Sequence, residues 1–311
     1  MAPPQPLTAL EDSAIEGALA VLNGGGLVAI PTETVYGLAA DASNAQAVRR
    51  IFAVKARPVD HPLIVHISDA ASMIEWCDQV PASAMLLAEA CWPGPLTVLV
   101  PRAARVLDVV TGGRPTVGLR VPAHRLTGEL LRRFAGGLAT PSANRFGRVS
   151  PTTAQHVRND LGDDVDLILD GGRCPVGVES TIVDCTVDPP QVLRPGGIPT
   201  EQISALLDGR LTHASGPSRA PGMVDSHYAP RCRVLLADSA AEVTGLVAAT
   251  PGSIAVGLDL DLVTYAQGLY EWLRVADIEG HVAVVALLPP AQGLGHAIRD
   301  RLVKAAAHRA D

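Results

Sequence analysis

Between Gly209 and Arg231 the hydrophobic periodicity of the chain stops. The segment GRLTHASGPSRAPGMVDSHYAPR is polar, rich in proline and glycine, and repeats at neither helical nor strand spacing. A stretch of that kind has no apolar face to bury, so it reads as a linker. It divides the chain into residues 1–208, a linker over 209–231, and residues 232–311. The third part is regular: RVLLA, SAAEVTGLVAA, SIAVG, DLVTYAQGLYEWLRVADIEG, HVAVVALL and LGHAIRDRLVKAAA. That pattern is βαβαβα and predicts a small Rossmann-like unit with a three-stranded parallel sheet. No GxGxxG follows its first strand, so a dinucleotide site is not expected there.

The first part mixes its signals. TALEDSAIEGALAVLNGGG opens with a capping box, Thr8 to Glu11, and predicts a helix that the glycines end. LVAIPT reads as a strand. NAQAVRRIFAVKARP predicts a helix capped by Asn44 and stopped before Pro58. PLIVHI, LTVLVP, TVGLRVP, GGLAT, DLILDGG, STIVDC and QVLRPG read as strands. SDAASMIEWC, PASAMLLAEACW, TEQISALLDG and SPTTAQHVRNDLG read as helices, the last with Ser150 as N-cap. Strands and helices interleave without strict alternation. The expected fold is therefore α/β, a twisted mixed sheet with flanking helices.

Composition narrows the function. The chain has 311 residues, 48% hydrophobic and 18% charged, which suits a soluble protein. No apolar run reaches the roughly 18 residues of a membrane helix, and the first residues lack the pattern of a signal peptide. Five cysteines without CxxC spacing predict reduced, mostly buried thiols and a cytoplasmic location. A net charge of −7 argues against broad nucleic-acid coating, and 3% aromatics against stacking platforms for single strands.

The common catalytic motifs are missing: no Walker A, no HExxH, no metal-spaced Cys/His cluster, no GxSxG. What recurs instead is a strand end bounded by proline that presents Ser, Thr, Asn or Arg. The cases are IPTET, VKARPVDHPL, VGLRVP, ATPSANRFGRVSP, ESTIVD and VLRPGG. Any one of them is ordinarily a capped turn. Six within about 200 residues describe a polar, anion-binding pocket at the end of a sheet, because Arg and Lys suit phosphates and carboxylates.

Those segments resemble the threonylcarbamoyl-AMP synthase family, the YrdC-like proteins. The likeness runs from Leu7 to about Ile198, through PTETVYGL, KARP with HPLIVH, WPGPLT, VGLRVP, TPSAN, ESTIVD and LRPG. PGMVDSHYAP and the last α/β unit resemble the longer, two-domain branch. The resemblance implies an enzyme that makes threonylcarbamoyl-AMP and pyrophosphate from L-threonine, bicarbonate and ATP, and a product that feeds a tRNA modification next to the anticodon. It implies Lys55 and Arg57 as the catalytic pair meeting ATP phosphates. Thr32, Thr34, His66, Arg120, Thr140 and Ser180 would line the threonine side, with Arg120 as a bidentate partner of the carboxylate. His61, Thr116, Ser142, Asn144, Ser150, Arg194 and Tyr228 would contact the nucleotide. Mg²⁺ is expected with ATP, held mainly by phosphates and water, with no tight metal site in the protein. The product would pass to the tRNA threonylcarbamoyl-transferase machinery, a weak tRNA contact is left open, and no membrane partner is expected. The linker departs from the family, which usually has Lys and Tyr after PGM where Val224 and Asp225 stand here. An acidic residue beside a triphosphate is unfavourable unless a cation intervenes, which puts closure of the linker as a lid in question.

Two other readings compete. One is a carbamoyltransferase-type domain of the same fold; the acylphosphatase and zinc-finger modules that usually accompany it are not visible. The other is a non-catalytic module that binds RNA in the same basic concavity, against which the net charge argues.

Overall fold

The computed structural model describes residues 7–213, 220–221 and 228–307. Val224 and Asp225 lie outside them. The first two helices follow their caps. In α1 (Ala9–Asn23) the Thr8 hydroxyl accepts from the Glu11 amide while the Glu11 carboxylate accepts from the Thr8 amide, the reciprocal box expected. The strand LVAIPT is β1 (Val28–Ile30), and a turn leads into β2 (Gly37–Asp41). Helix α2 (Ala45–Lys55) is capped by Asn44 and ends at Ala56 in the left-handed region, ahead of Pro58.

The rest of the first unit adds β3 (Ile64–His66), α3 (Ala82–Cys91), β4 (Leu96–Pro101), the single turn α4 (Asp108–Thr111), β5 (Thr116–Arg120) and α5 (Arg125–Phe134). Then come β6 (Leu138–Ala139), α6 (Ala154–Leu161), β7 (Leu167–Ile168), β8 (Thr181–Asp184), β9 (Gln191–Arg194), α7 (Thr200–Leu206) and β10 (Thr212–His213). Among the described residues the strands form one mixed sheet in the order β10-β9-β8-β4-β5-β3-β6-β2-β1-β7. The main core packs beneath it, with Leu27, Tyr36, Ile51, Leu87, Val98 and Leu119 buried together.

Three expectations change. SDAASMIEWC gives only a 3-10 turn, Ala71–Glu75, because the Asp69 carboxylate accepts from the Ser72 amide and hydroxyl and holds the chain in a tight turn. Ser150 does not cap α6. Thr153 does, accepting from the His156 amide, while the Ser150 hydroxyl is committed to Glu179. The first residues of the expected linker extend the sheet, since Thr212 and His213 pair with Gln191 and Val192.

The last part folds as β11 (Arg233–Ala237), α8 (Ala240–Ala249), β12 (Ile254–Val256), α9 (Leu262–Ile278), β13 (Ala283–Leu287) and α10 (Gly295–Ala306). Its sheet is parallel, in the order β11-β13-β12. The two units share one apolar cluster. Val35, Val149, Val178 and Tyr228 pack with Tyr265, Leu269, Tyr270, Leu273, Ile298 and Leu302 from α9 and α10. Gly177 shows how close they come. It has φ +80, and a Cβ there would lie 2.4 Å from the Ala266 carbonyl oxygen on α9. The cysteines are free, all buried except the half-buried Cys232. No described helix is long and apolar enough to cross a membrane.

Candidate active site

The turn after β1 is built on one hydroxyl. Thr32 Oγ1 donates to the Val35 carbonyl (2.6 Å) and accepts from the amides of Thr34 (3.1 Å) and Val35 (3.2 Å). Thr34 Oγ1 lies 2.8 Å from it. The single Thr32 proton is spent on Val35, so Thr34 is the donor of that pair. Thr34 in turn accepts from Arg120 Nη2 at 2.9 Å. Both hydroxyls are buried, and both line a cavity at the end of the sheet.

Sheet register supplies the next two residues. Parallel pairing of β3 and β5 places His66 opposite Arg120. Burial pushes the His66 imidazole well below its ordinary pKa, and the Arg120 charge adds to that. It is a neutral ring whose buried Nδ1 has no partner among the described residues. Arg120 pairs with the buried Glu33 at 2.8 Å and donates through Nε to the Gly94 carbonyl at 3.3 Å. Glu33 is itself anchored by the Ala123 amide. The Nε–Nη2 edge of Arg120 is thus engaged by Gly94, Thr34 and Glu33. Thr140 completes this wall. Gly37 makes room for it, because a Cβ at 37 would lie 2.3 Å from Thr140 Cγ2.

The opposite wall comes from the ends of β8 and β9. Arg194 donates from Nε and Nη2 to the Ser180 carbonyl (3.1 and 3.0 Å) and from Nη2 to the Ser180 hydroxyl (3.1 Å). That hydroxyl also lies 2.8 Å from Thr97 Oγ1. Arg194 Nη1 reaches the Pro221 carbonyl in the linker. Glu179 and Tyr228 finish the wall. Burial opposes ionisation of Glu179, but Arg301, Arg194 and the hydrogen bond from Ser150 prevail and hold its pKa at about 2.

Arg57 enters from beyond the end of α2. Burial brings its pKa down to about 10, which leaves it a cation at neutral pH. Its guanidinium lies 5.5 Å from the Phe146 ring centroid and donates to the Pro62 carbonyl. Its buried Nε has no partner among the described residues. The C-terminal end of a helix repels anions, so the attraction here is the side chain's own charge.

The structure brings Thr32, Thr34, Arg57, His66, Arg120, Thr140, Ser142, Ser180, Arg194 and Tyr228 onto one cavity. It does not bring Lys55, His61, Thr116, Asn144 or Ser150 there. Lys55 is fully buried and donates to the carbonyls of Ser142 and Asn144, both at 2.5 Å. Burial and then Arg57 lower its pKa well below the usual value. It ties down the loop that carries Ser142. Asn144 Nδ2 donates to the Arg145 and Arg148 carbonyls within that loop. His61 packs edge-on to Phe146 with its pKa lowered by burial and Arg57. Thr116 begins β5, four residues and about 13 Å from Arg120. Sequence reading missed Glu33 and Glu179. Both stand in segments singled out for their hydroxyls, but their partners, Arg120 and Arg301, are distant in sequence. Among the described residues no group of three or more His, Cys, Asp or Glu could hold a metal ion.

Comparison with known proteins identifies the family. A family model described as telomere recombination, covering the Sua5, YciO and YrdC proteins, matches residues 20–196. A second, described as the C-terminal domain of threonylcarbamoyl-AMP synthase, matches residues 198–307. The threonylcarbamoyl-AMP synthase of Pyrococcus abyssi is 38% identical, with 96% of each chain covered. That of Bacillus subtilis is also 38% identical, covering 96% of this chain and 94% of its own. A crystal structure of P. abyssi Sua5 complexed with L-threonine superposes with a TM-score of 0.91 at 36% identity, over 97% of this chain and 96% of that one. Neither a carbamoyltransferase-type domain nor a non-catalytic RNA module accounts for similarity that spans both units. The chain belongs to the threonylcarbamoyl-AMP synthase family, in its two-domain form.

Proposed function

We propose that this cavity holds L-threonine against the Thr34–His66–Arg120–Thr140 wall and ATP along Arg57, Ser142, Arg194 and Tyr228. The threonine amine attacks the bicarbonate carbon and, with loss of water, gives a carbamate. A carbamate oxygen then attacks the α-phosphorus of ATP, the bond to the bridging oxygen breaks, and pyrophosphate leaves. The nucleophile belongs to the substrate, so no protein nucleophile is required. The protein's work is to align two anions and to stabilise the charge that develops on the phosphate.

The observation that carries this reading is the pair of buried polar atoms without partners, Arg57 Nε and His66 Nδ1, on two residues that line one cavity. Buried polar atoms are nearly always satisfied, so each marks a place for a ligand atom. Arg57 Nε suits a phosphate oxygen, and the neutral His66 ring suits the amino acid. Arg120 offers its charge to the threonine carboxylate while Glu33 holds it in place. Lys55 acts through the loop it anchors. Glu179 is the carboxylate among the described lining residues, and both its oxygens are engaged. Mg²⁺ would therefore ride on the triphosphate oxygens and water, where it neutralises phosphate charge. The product is a mixed anhydride that a tRNA threonylcarbamoyl-transfer step in the cytoplasm would consume.

A substrate-omission assay tests the reading. Pyrophosphate release should require both threonine and bicarbonate, with threonylcarbamoyl-AMP detected by mass spectrometry. Release without threonine would contradict it.

A further inference from the structure

We propose that Arg301 and Tyr270 of the second unit are positioning residues for the nucleotide side of the cavity, acting through Glu179 and Tyr228. Arg301 lies in the middle of α10 and is fully buried. Its Nε donates to Glu179 Oε2 at 2.8 Å, and the Tyr270 hydroxyl donates to the same oxygen at 2.7 Å. Its Nη1 donates to the Pro195 carbonyl at 3.0 Å. Glu179 immediately precedes Ser180, and Pro195 immediately follows Arg194. Arg301 therefore clamps the strand ends on both sides of the Ser180–Arg194 pair that forms the wall.

The same groups hold Tyr228. Its ring stacks on Tyr270 at 5.7 Å, with the Arg301 guanidinium 5.1 Å from its centroid. Tyr228 has φ +63, a left-handed backbone that a bulky side chain adopts only when its surroundings enforce it. Here α9 and α10 are those surroundings. Charge points the same way. Without Arg301 the ionised Glu179 would stand in the wall with only Arg194 as a neighbouring cation, and its field would oppose a triphosphate. The second unit thus neutralises and fixes one side of the active site without touching the reacting atoms.

The proposal rests on the nucleotide lying along Arg194 and Tyr228, so Arg194→Ala serves as the reference. In full-length protein, Arg301→Gln should raise the KM for ATP at least tenfold and leave the KM for threonine within twofold. Tyr270→Phe, a milder change that keeps the fold, should raise the ATP KM several-fold. Glu179→Gln combined with Arg301→Gln removes both charges and should recover part of the loss of Arg301→Gln alone, a recovery that mere destabilisation does not give. Thermal midpoints are measured in parallel. An unchanged ATP KM in folded Arg301→Gln and Tyr270→Phe, with Arg194→Ala impaired, overturns the proposal and leaves the site reading intact. An unchanged ATP KM in Arg194→Ala as well overturns the site reading itself.

Discussion

His66 and Arg120 face each other across the parallel pair β3 and β5, where the buried imidazole is neutral beside a guanidinium that Glu33 already balances. This wall of the cavity is therefore nearly neutral overall, with the Arg120 charge held in place by Glu33. Arg57, on the other side, is a cation with no ion-pair partner among the described residues.

This division predicts opposite responses to two substitutions. Arg120→Lys keeps a cation near Glu33 but cannot reproduce the contacts to Thr34 and Gly94. It should raise the KM for threonine about tenfold, a cost near 1.4 kcal/mol, and leave the KM for ATP within twofold. Lysine avoids a stranded buried Glu33, which alanine would create at about 3–5 kcal/mol. Equal effects on both substrates would contradict the assignment of Arg120.

Arg57→Ala should remove most of the nucleotide affinity. The residue makes few protein contacts, namely the Pro62 carbonyl and the Phe146 ring, so the fold should survive. Calorimetry should report at least a tenfold weaker ATP Kd, with a thermal midpoint within a few degrees of the parent. Unchanged ATP binding would refute the role.

Lys55 calls for a different outcome. Its amine is spent on two backbone carbonyls. Lys55→Met should leave those carbonyls unsatisfied and cost about 1–3 kcal/mol in urea unfolding. Activity should fall through the displaced loop, with kcat and both KM values affected. A selective rise in ATP KM at full stability would return Lys55 to direct phosphate contact.

Much of this was legible along the chain because it is local. Capping at Thr8 and Asn44, the strand ending at Pro31, and the βαβαβα order after residue 232 all follow from neighbours a few residues apart. The hydroxyls and arginines at strand ends were legible too, since sheet folds gather strand ends. What the sequence hides is pairing at long range. Nothing in ESTIVD announces that Glu179 meets Arg301, 122 residues away, and nothing near Ser150 announces that its hydroxyl turns from α6 to that carboxylate. Lys55 reads as a phosphate ligand because the backbone carbonyls that absorb it come from another loop.

The same carboxylate makes stability depend on acid. Glu179 has an ordinary pKa of 4.5 and a folded-state value of about 2, because Arg301, Arg194 and the Ser150 hydroxyl outweigh the effect of burial. As pH falls the unfolded chain takes up the proton first. The contribution is therefore fully present above about pH 4.5 and is lost as pH falls toward 2. The shift corresponds to roughly 3 kcal/mol, and the group is buried, so solvent screening takes little from it. Glu179→Gln should lower stability at neutral pH, because the buried Arg301 keeps only Asp300 as a carboxylate partner. It should also flatten the decline between pH 4.5 and 2 by about one proton. Urea unfolding across that range measures both. Parallel pH profiles for the parent and Glu179→Gln would mean that the carboxylate is not held ionised by the second unit.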